Sequence, residues 1–336
     1  MNLDTFLTEL YVFVDDWYKV EGAELLKRHA GAAVQMSDSE VLTLAIVGQW
    51  RVGVPWQSER GMGRYFQMHG RQWFPTLLQH SALNERMRLL WSGLVRLQQI
   101  LGEQLESAQT LYECVDCVPL PACSLAQAER EAGHWLWWSS IGYGGNHGGW
   151  FFGEQVIVAV SQASTVTGWL VGPANADDRW MLQVLVSGRA GQPEYSAPPP
   201  HPGKGQQPLS APVGQILPVL SVGPARARPY LADGGFNGAR WRNHWRHYGA
   251  EVITIPPKNA PDAWSRTDQR WLRQHRQIIE TVFSRLGEVF GFFRLQAHSR
   301  WGQLTRLAAK FAAYNFGLWL NARYNRPLGA LATLLC

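Results

Sequence analysis

Leu111-Tyr112-Glu113-Cys114-Val115-Asp116 is the point at which a helical pattern gives way to a β-like one. Apolar and β-favouring residues run together here, and Pro119 and Pro121 follow, so the segment reads as a strand from Thr110 that ends at the prolines with Asp116 near its tip. On its N-terminal side, residues 1–108 read as a helical domain. Ser37-Asp38-Ser39-Glu40 has the pattern of a capping box, a capping serine with a glutamate three residues on, and it opens an apolar run through Val41, Leu44, Ala45, Gly48 and Val52. Leu83, Met87, Leu90, Leu94, Leu97 and Leu101 recur at helical spacing and predict a second helical stretch over 83–105. The Gly- and Arg-containing segment Arg51–Arg64 lies between them. Such helical units serve as helix-turn-helix DNA binders, as scaffolds or as dimerisation modules.

On the C-terminal side, Phe151–Ser161 and Thr165–Val171 read as strands joined by a short turn, and Asp177–Ser187 as a helix. Residues 191–224 are rich in Pro, Gly and Ser and have no apolar period, which predicts a surface loop or insert. Beyond it come a strand at Pro229–Asp233, a helix at Gly238–Tyr248, a strand at Glu251–Ile255 and a long helix over Asp268–Glu288. Strand, hairpin strands, helix, strand, helix, strand, helix predicts a mixed sheet with helices packed on it, an α/β domain spanning 109–336.

Three acidic residues stand in places where an ion is costly. Asp116 and Asp233 each end an apolar strand, and Glu280 lies within Arg276-Gln277-Ile278-Ile279-Glu280-Thr281-Val282-Phe283. An ionised carboxylate beside a buried strand needs a partner, and a divalent cation with hard oxygen ligands is one. A turn or helix cap is the alternative role for a strand-end Asp. The chain carries a net charge of +5, but Arg226–Lys310 alone holds 15 Lys and Arg against 6 Asp and Glu, so the remainder is net acidic. That asymmetry suggests a polyanionic partner, with a solvated basic face as the plainer alternative.

Taken in order, these motifs resemble the DDE transposases of bacterial insertion sequences, most closely the group called IS-nine-eight-two within the IS-four-like superfamily. Ser37–Glu40, Val115-Asp116-Cys117-Val118-Pro119 with Cys123 nearby, Phe151-Phe152-Gly153, Gly172–Asp177, Leu231-Ala232-Asp233-Gly234-Gly235-Phe236 and Arg276–Ser284 carry the resemblance. It implies an RNase H-like catalytic core. It also implies Asp116, Asp233 and Glu280 as metal-holding catalytic residues, and two Mg²⁺ or Mn²⁺ ions that cut DNA and join strands. The 46 residues between Asp233 and Glu280 leave room for one helix and one strand. Its partners are then the terminal inverted repeats and target DNA, with a homodimer in the synaptic complex and a bacterial cytoplasmic, nucleoid-associated location. Several features depart from the family pattern: Arg273 stands in the place of a Tyr and Gly287 in that of a Lys, so the DNA-end contacts made by those residues do not carry over; Gly235 follows the second Asp where a Lys-Gly or Arg-Gly pair is common nearby, Glu154 stands where a Lys is frequent, and the Pro-rich insert is atypical. Competing readings are a decayed or domesticated DNA binder and an RNase H-like nuclease that does not join strands.

On the last helix, Arg273, Arg276 and Glu280 fall on one side, beside a stripe of Leu272, Ile279, Phe283, Leu286 and Phe290. Arg273 and Arg276, with Arg240, Arg242 and Arg246, are the candidate DNA contacts; an Arg276–Glu280 ion pair at i,i+4 is the alternative for that helix. Trp241, Trp245 and Trp264 lie among arginines, with packing as their default role. Cys114, Cys117 and Cys123 offer three thiols with only the distant His134 as a fourth ligand, which favours small buried hydrophobes over zinc. The glycines around His147 read as the approach to a hairpin. No 18-residue apolar run occurs, Met1-Asn2-Leu3-Asp4 does not read as a signal peptide, and the crowded cysteines suit a reducing compartment.

Overall fold

A computed structural model describes residues 1–26, 35–106, 110–123, 125, 128, 139–144, 149–194, 228–257, 259–260, 263–297 and 299–335. The insert expected at 191–224 lies mostly outside these residues, as do His134 and His147. The chain forms two compact units, Met1–Leu105 with Phe283–Cys336, and Glu106–Val282. No helix among the described residues is long and apolar enough to cross a membrane.

In the first unit α1 spans Leu3–Trp17 and runs into a π-helical turn, Tyr18–Gly22; α2 spans Asp38–Val47, α3 Glu59–His69, α4 His80–Leu89 and α5 Trp91–Leu105. The capping box is formed: the Glu40 N–H donates to Ser37 Oγ at 3.2 Å and the Ser37 N–H to Glu40 Oε2 at 2.7 Å. Every residue of α2 except Glu40 is buried, so the helix is central rather than one-sided. Its Asp38 is stabilised there by Arg86 at 2.6 Å and the Tyr18 hydroxyl at 3.0 Å. The expected continuous helix over 83–105 is instead two, broken at Leu90, and α3 begins inside the segment read as a connection. A 24-residue helix over Arg300–Arg323 packs on α5. Phe6, Trp50, Phe290 and Phe316 form edge-to-face pairs 4.7–5.5 Å apart in this core, so part of the tryptophan complement is packing.

The second unit holds the sheet. β1 spans Glu113–Cys123, β2 Ser140–Tyr143, β3 Trp150–Ser161, β4 Val166–Pro173, β5 Tyr230–Leu231 and β6 Val252–Ile253. β3 pairs antiparallel with β1 on one side; on the other it pairs with β2 near its start and β4 along the rest. β5 then pairs parallel with β1, and β6 parallel with β5. Helix α6 spans Asp178–Arg189, α7 Ala239–His247 and α8 Arg266–Phe290; α9 is the Arg300–Arg323 helix of the first unit. A mixed sheet with flanking helices and a helical N-terminal region is the α/β architecture the resemblance implies. At the described ends of the glycine-rich segment, β2 pairs with the start of β3 and Gly144 donates to the Gly149 carbonyl at 2.8 Å; residues 145–148, including His147, lie outside the described residues.

One expectation fails informatively. β1 does not end at its prolines but continues through Pro119 and Pro121, opposite Gln155 and Gly153. The Glu113 N–H points towards the β5 side, bonding the Pro229 carbonyl at 3.0 Å. N–H directions alternate along a strand, so positions 119 and 121 point the same way. β5 pairs only with Glu113 and Cys114 of β1, so among the described residues the two prolines face an unpaired edge and remove no ladder hydrogen bond.

The core between sheet and helices includes Val115, Ile157, Leu170, Trp180, Leu185, Ala232, Phe236 and Trp245. Trp245 is therefore packing, while Trp241 is half-buried against it and carries Arg179 5.8 Å over its ring. The buried side of α8 is formed by Leu272, Ile279, Val282, Leu286, Val289 and Phe290; Phe283 is only half-buried, Val282 and Val289 filling the stripe instead.

Candidate active site

Register places the first two acids. β1 and β5 are parallel neighbours with Cys114 opposite Leu231. Asp116 and Asp233 each lie two residues beyond that pair, so both emerge at one level of adjacent chain segments about 4.8 Å apart, on the same face by the two-residue period of a strand. Asp116 sits near the middle of β1, opposite Val158. Asp233 leaves the sheet into a 3₁₀ turn, Gly234–Phe236, and caps it by accepting the Gly235 N–H at 2.8 Å. A Cβ on residue 235 would lie 3.0 Å from Asp233 Oδ1, which accounts for glycine there. The turn is tied down: Asn237 donates to the Ile255 carbonyl at 2.7 Å and accepts from Thr254 at 2.5 Å.

A third acid joins them. Asp178 opens α6, whose cap is Asp177. Burial works against the charge on Asp177, but Arg179 at 2.6 Å holds its carboxyl below the ordinary range. Asp178 is raised by burial, relieved in part by a hydrogen bond from the Cys117 thiol and opposed again by Asp177 and Asp233. Asp116 is pushed from 3.8 up to about 7. Burial is the main cause, Arg276 opposes it, and Asp233 and Asp178 add to it. The Cys117 thiol, next to these carboxylates, is pushed well above its usual range by burial and then by Asp178. Asp178 was invisible to sequence reading; its one signal is the doubled acid at a helix start, where a single Asp suffices for the cap.

The only side-chain cation on Asp116 among the described residues is Arg276, whose Nη2 lies 3.0 Å from Asp116 Oδ2. This corrects the ion pair considered for α8: Arg276 reaches across to the strand rather than along the helix to Glu280. Cys114 Sγ, donating to the His275 carbonyl at 3.4 Å, fastens the same turn of α8 to β1. Glu280 is exposed one turn further on, and Arg273 is exposed as well. Arg240 and Arg246 are exposed on α7 and Arg242 is half-buried. The donor chemistry, clustered carboxylates short of positive charge, fits a hard divalent cation. Among the described residues, however, no three or more His, Cys, Asp or Glu side chains are gathered as a ready ligand set, for zinc or any other metal.

Residues 213–316 match the family model of the transposase DDE domain. The match includes Asp233 and Glu280 and begins after Asp116; it supports a DDE-type transposase, a nucleic-acid-processing class that generally uses divalent metal ions. Neither the curated proteins nor the solved structures contain a match to the chain.

Proposed function

We propose that the chain is an insertion-sequence transposase, of the IS-nine-eight-two group of the IS-four-like superfamily, that binds terminal inverted repeats, cuts DNA at the element's ends and joins the freed strands to target DNA. The observation that carries the reading is the parallel register of β1 and β5, which sets Asp116 beside Asp233 in a pocket where burial makes ionisation costly. Asp116, Asp233 and Glu280 are the residues to hold Mg²⁺ or Mn²⁺. Such ions, when bound, activate a water or 3′-hydroxyl and stabilise the leaving oxygen in phosphoryl transfer. Arg276 and Glu280 are one helical turn, about 5.4 Å, apart on one side of α8. The Arg276–Asp116 contact supports assigning Glu280, on the neighbouring turn of the same helix side, as the third acid, although its side chain is exposed.

The protein's own groups divide the remaining work. Arg276 holds Asp116 in orientation and partly neutralises it. Asn237 and the Gly235 N–H fix the Asp233 turn. Arg240, Arg242, Arg246 and Arg273 offer guanidinium donors to DNA phosphates, α7 following directly from the Asp233 turn. Concerted cutting of two ends requires two copies, hence a homodimer in the assembled complex, working in the bacterial cytoplasm at the nucleoid.

The test incubates the full chain with labelled duplexes taken from the DNA flanking its gene, with and without Mg²⁺, and resolves cut and joined products. Joined products that vanish in Asp116→Asn and Asp233→Asn support the proposal. Cutting without joining identifies a nuclease, and binding without either identifies a DNA binder.

A further inference from the structure

The helical unit encloses a second charged site, remote in character from the carboxylates. A cavity of about 230 Å³ is lined by Arg51, Ser58, Glu59, Arg60, Arg306 and Lys310, among others. Four of those side chains are basic and one is acidic. Lys310 comes from the middle of α9 and is 2% exposed, its ammonium donating to the Phe290 carbonyl. Glu59 is already taken: Arg306 holds one of its oxygens at 2.7 and 3.0 Å, and Gln49 donates to the other at 3.3 Å. Arg306 also donates to the Leu295 and Gln296 carbonyls, so its fork is occupied. Arg51 spends one nitrogen on the Gly48 and Trp50 carbonyls, at 2.5 and 2.7 Å, and is half-buried.

The balance left over is positive. One carboxylate shared among Arg51, Arg306 and Lys310 leaves one buried ammonium and two half-buried guanidiniums with a single counter-charge, an arrangement costly where water is largely excluded. The Lys310 ammonium shows that cost: burial, with Arg51 and Arg306 adding repulsion, pushes it from 10.5 down to about 7, and Glu59 only partly opposes this. Further donors face the same space. Ser58 caps α3, an 11-residue helix, and the first-turn N–H groups at Glu59 and Arg60 have no acceptor within the helix. Arg60 is exposed at the rim, and His80 also borders the cavity.

We infer that this cavity is a binding site for a phosphate-type oxyanion. A cation would meet repulsion, and an apolar ligand would leave the excess positive charge of the cavity unneutralised. The donors come from three separate segments, the connection after α2, the start of α3 and the middle of α9, which suits a tetrahedral group better than a planar carboxylate. The volume is ample for a phosphate, water's share of liquid being about 30 Å³, yet below the roughly 300 Å³ at which sites for larger organic ligands begin. The phosphate belongs either to a nucleic-acid backbone or to a free ion. The pocket stands on its own chemistry; only its assignment to DNA rests on the transposase reading.

The experiment measures thermal unfolding of the full chain in increasing inorganic phosphate, against sodium chloride at matched ionic strength. Wild type should gain Tm saturably with phosphate, as binding to the folded state requires. Lys310→Met keeps the apolar stem and should lose the response. Arg60→Gln, at an exposed position where folding is not at stake, should weaken phosphate binding about tenfold, the loss of one charge-assisted contact. No saturable gain in wild type, or equal gains in both variants, overturns the proposal. Anisotropy with a short random-sequence duplex then assigns the source. A matching loss of DNA affinity in both variants, with phosphate competing, places a backbone phosphate in the pocket; unchanged DNA affinity beside a lost phosphate response places a free ion there. Failure of strand cleavage would leave this result untouched.

Discussion

Asp116→Asn should make the protein progressively more stable than wild type as pH rises. The folded-state carboxyl is raised from 3.8 to about 7, so the native protein prefers it protonated. A group raised in this way contributes its stability fully below the unfolded value, and that contribution is lost as pH climbs through the folded value. At about 1.4 kcal/mol per tenfold, the rise corresponds to a loss of about 4 kcal/mol between pH 4 and pH 8 in wild type. Asn cannot ionise and loses nothing over that window. A water-accessible fraction of 24% for the Asp116 side chain makes the figure an upper bound.

The substitution also leaves Arg276 without its partner, a penalty in the variant that varies little with pH because a guanidinium stays charged throughout. The quantity to measure is therefore the change in the difference between the two proteins, not either stability alone. Urea denaturation at pH 4, 6 and 8 gives it. A stability gap that shifts towards Asn by about 2–4 kcal/mol, rising steadily from pH 4 and levelling off above about pH 7, with more of the change between pH 4 and 6 than between pH 6 and 8, is the expected result. Millimolar Mg²⁺ at pH 8 should then close the gap by stabilising wild type alone, because only a carboxylate there recruits a cation. A gap that stays constant across pH would refute the argument that burial strains this carboxyl.

Arg276→Ala should move the pH profile of cleavage to higher pH, since removing the opposing cation raises Asp116 further; a profile that stays in place would separate Arg276 from the reactive carboxylate. Arg189, buried with Glu113 and donating to Tyr230 at 2.7 Å and Thr167 at 3.1 Å, should cost about 3–5 kcal/mol when changed to Met alone, and much less when Glu113→Leu accompanies it; both are read by urea denaturation. Ser37→Ala should lower stability by about 1 kcal/mol and Ser37→Gly by a few tenths, measured the same way. Glu280→Gln, at an exposed position, should leave stability within about 0.5 kcal/mol while abolishing cleavage. Cleavage at the wild-type rate would remove Glu280 from the site, and loss in Asp178→Asn would then point to the third acid.

What could be read from sequence was what local patterns encode. The Ser37–Glu40 box, the β3–β4 hairpin and the apolar side of α8 follow from spacing alone, because capping and periodicity act within a few residues. Pairing does not act locally. Whether Pro119 and Pro121 end a strand depends on which side its neighbour occupies, and β5, over a hundred residues away, decides that. Arg276 could pair along its helix or across to β1; the i,i+4 geometry permits the first, and only the packing of His275 against Cys114 selects the second. Asp178 went unseen for the same reason, since its significance lies in Cys117 and Asp233 rather than in its helix. Helix α9 was missed outright: it is buried on nearly every side, so it lacks the one-sided stripe that makes surface helices legible.

The two units carry opposite electrostatic strains. In the sheet unit, carboxylates are crowded until one is held near neutrality, with a single arginine as relief. In the helical unit, an ammonium is buried until it too approaches neutrality, with a single glutamate as relief. Folding alone would favour apolar residues at both places, since replacing buried ions by well-packed hydrophobes is often neutral or stabilising. On the readings proposed above, each strain would be relieved by a ligand of the opposite sign: a hard cation for the carboxylates, an oxyanion for the ammonium. The cation at the carboxylates and the oxyanion at the ammonium are separately testable, the first by Mg²⁺-dependent stabilisation of wild type and the second by phosphate titration, so neither result stands or falls with the other.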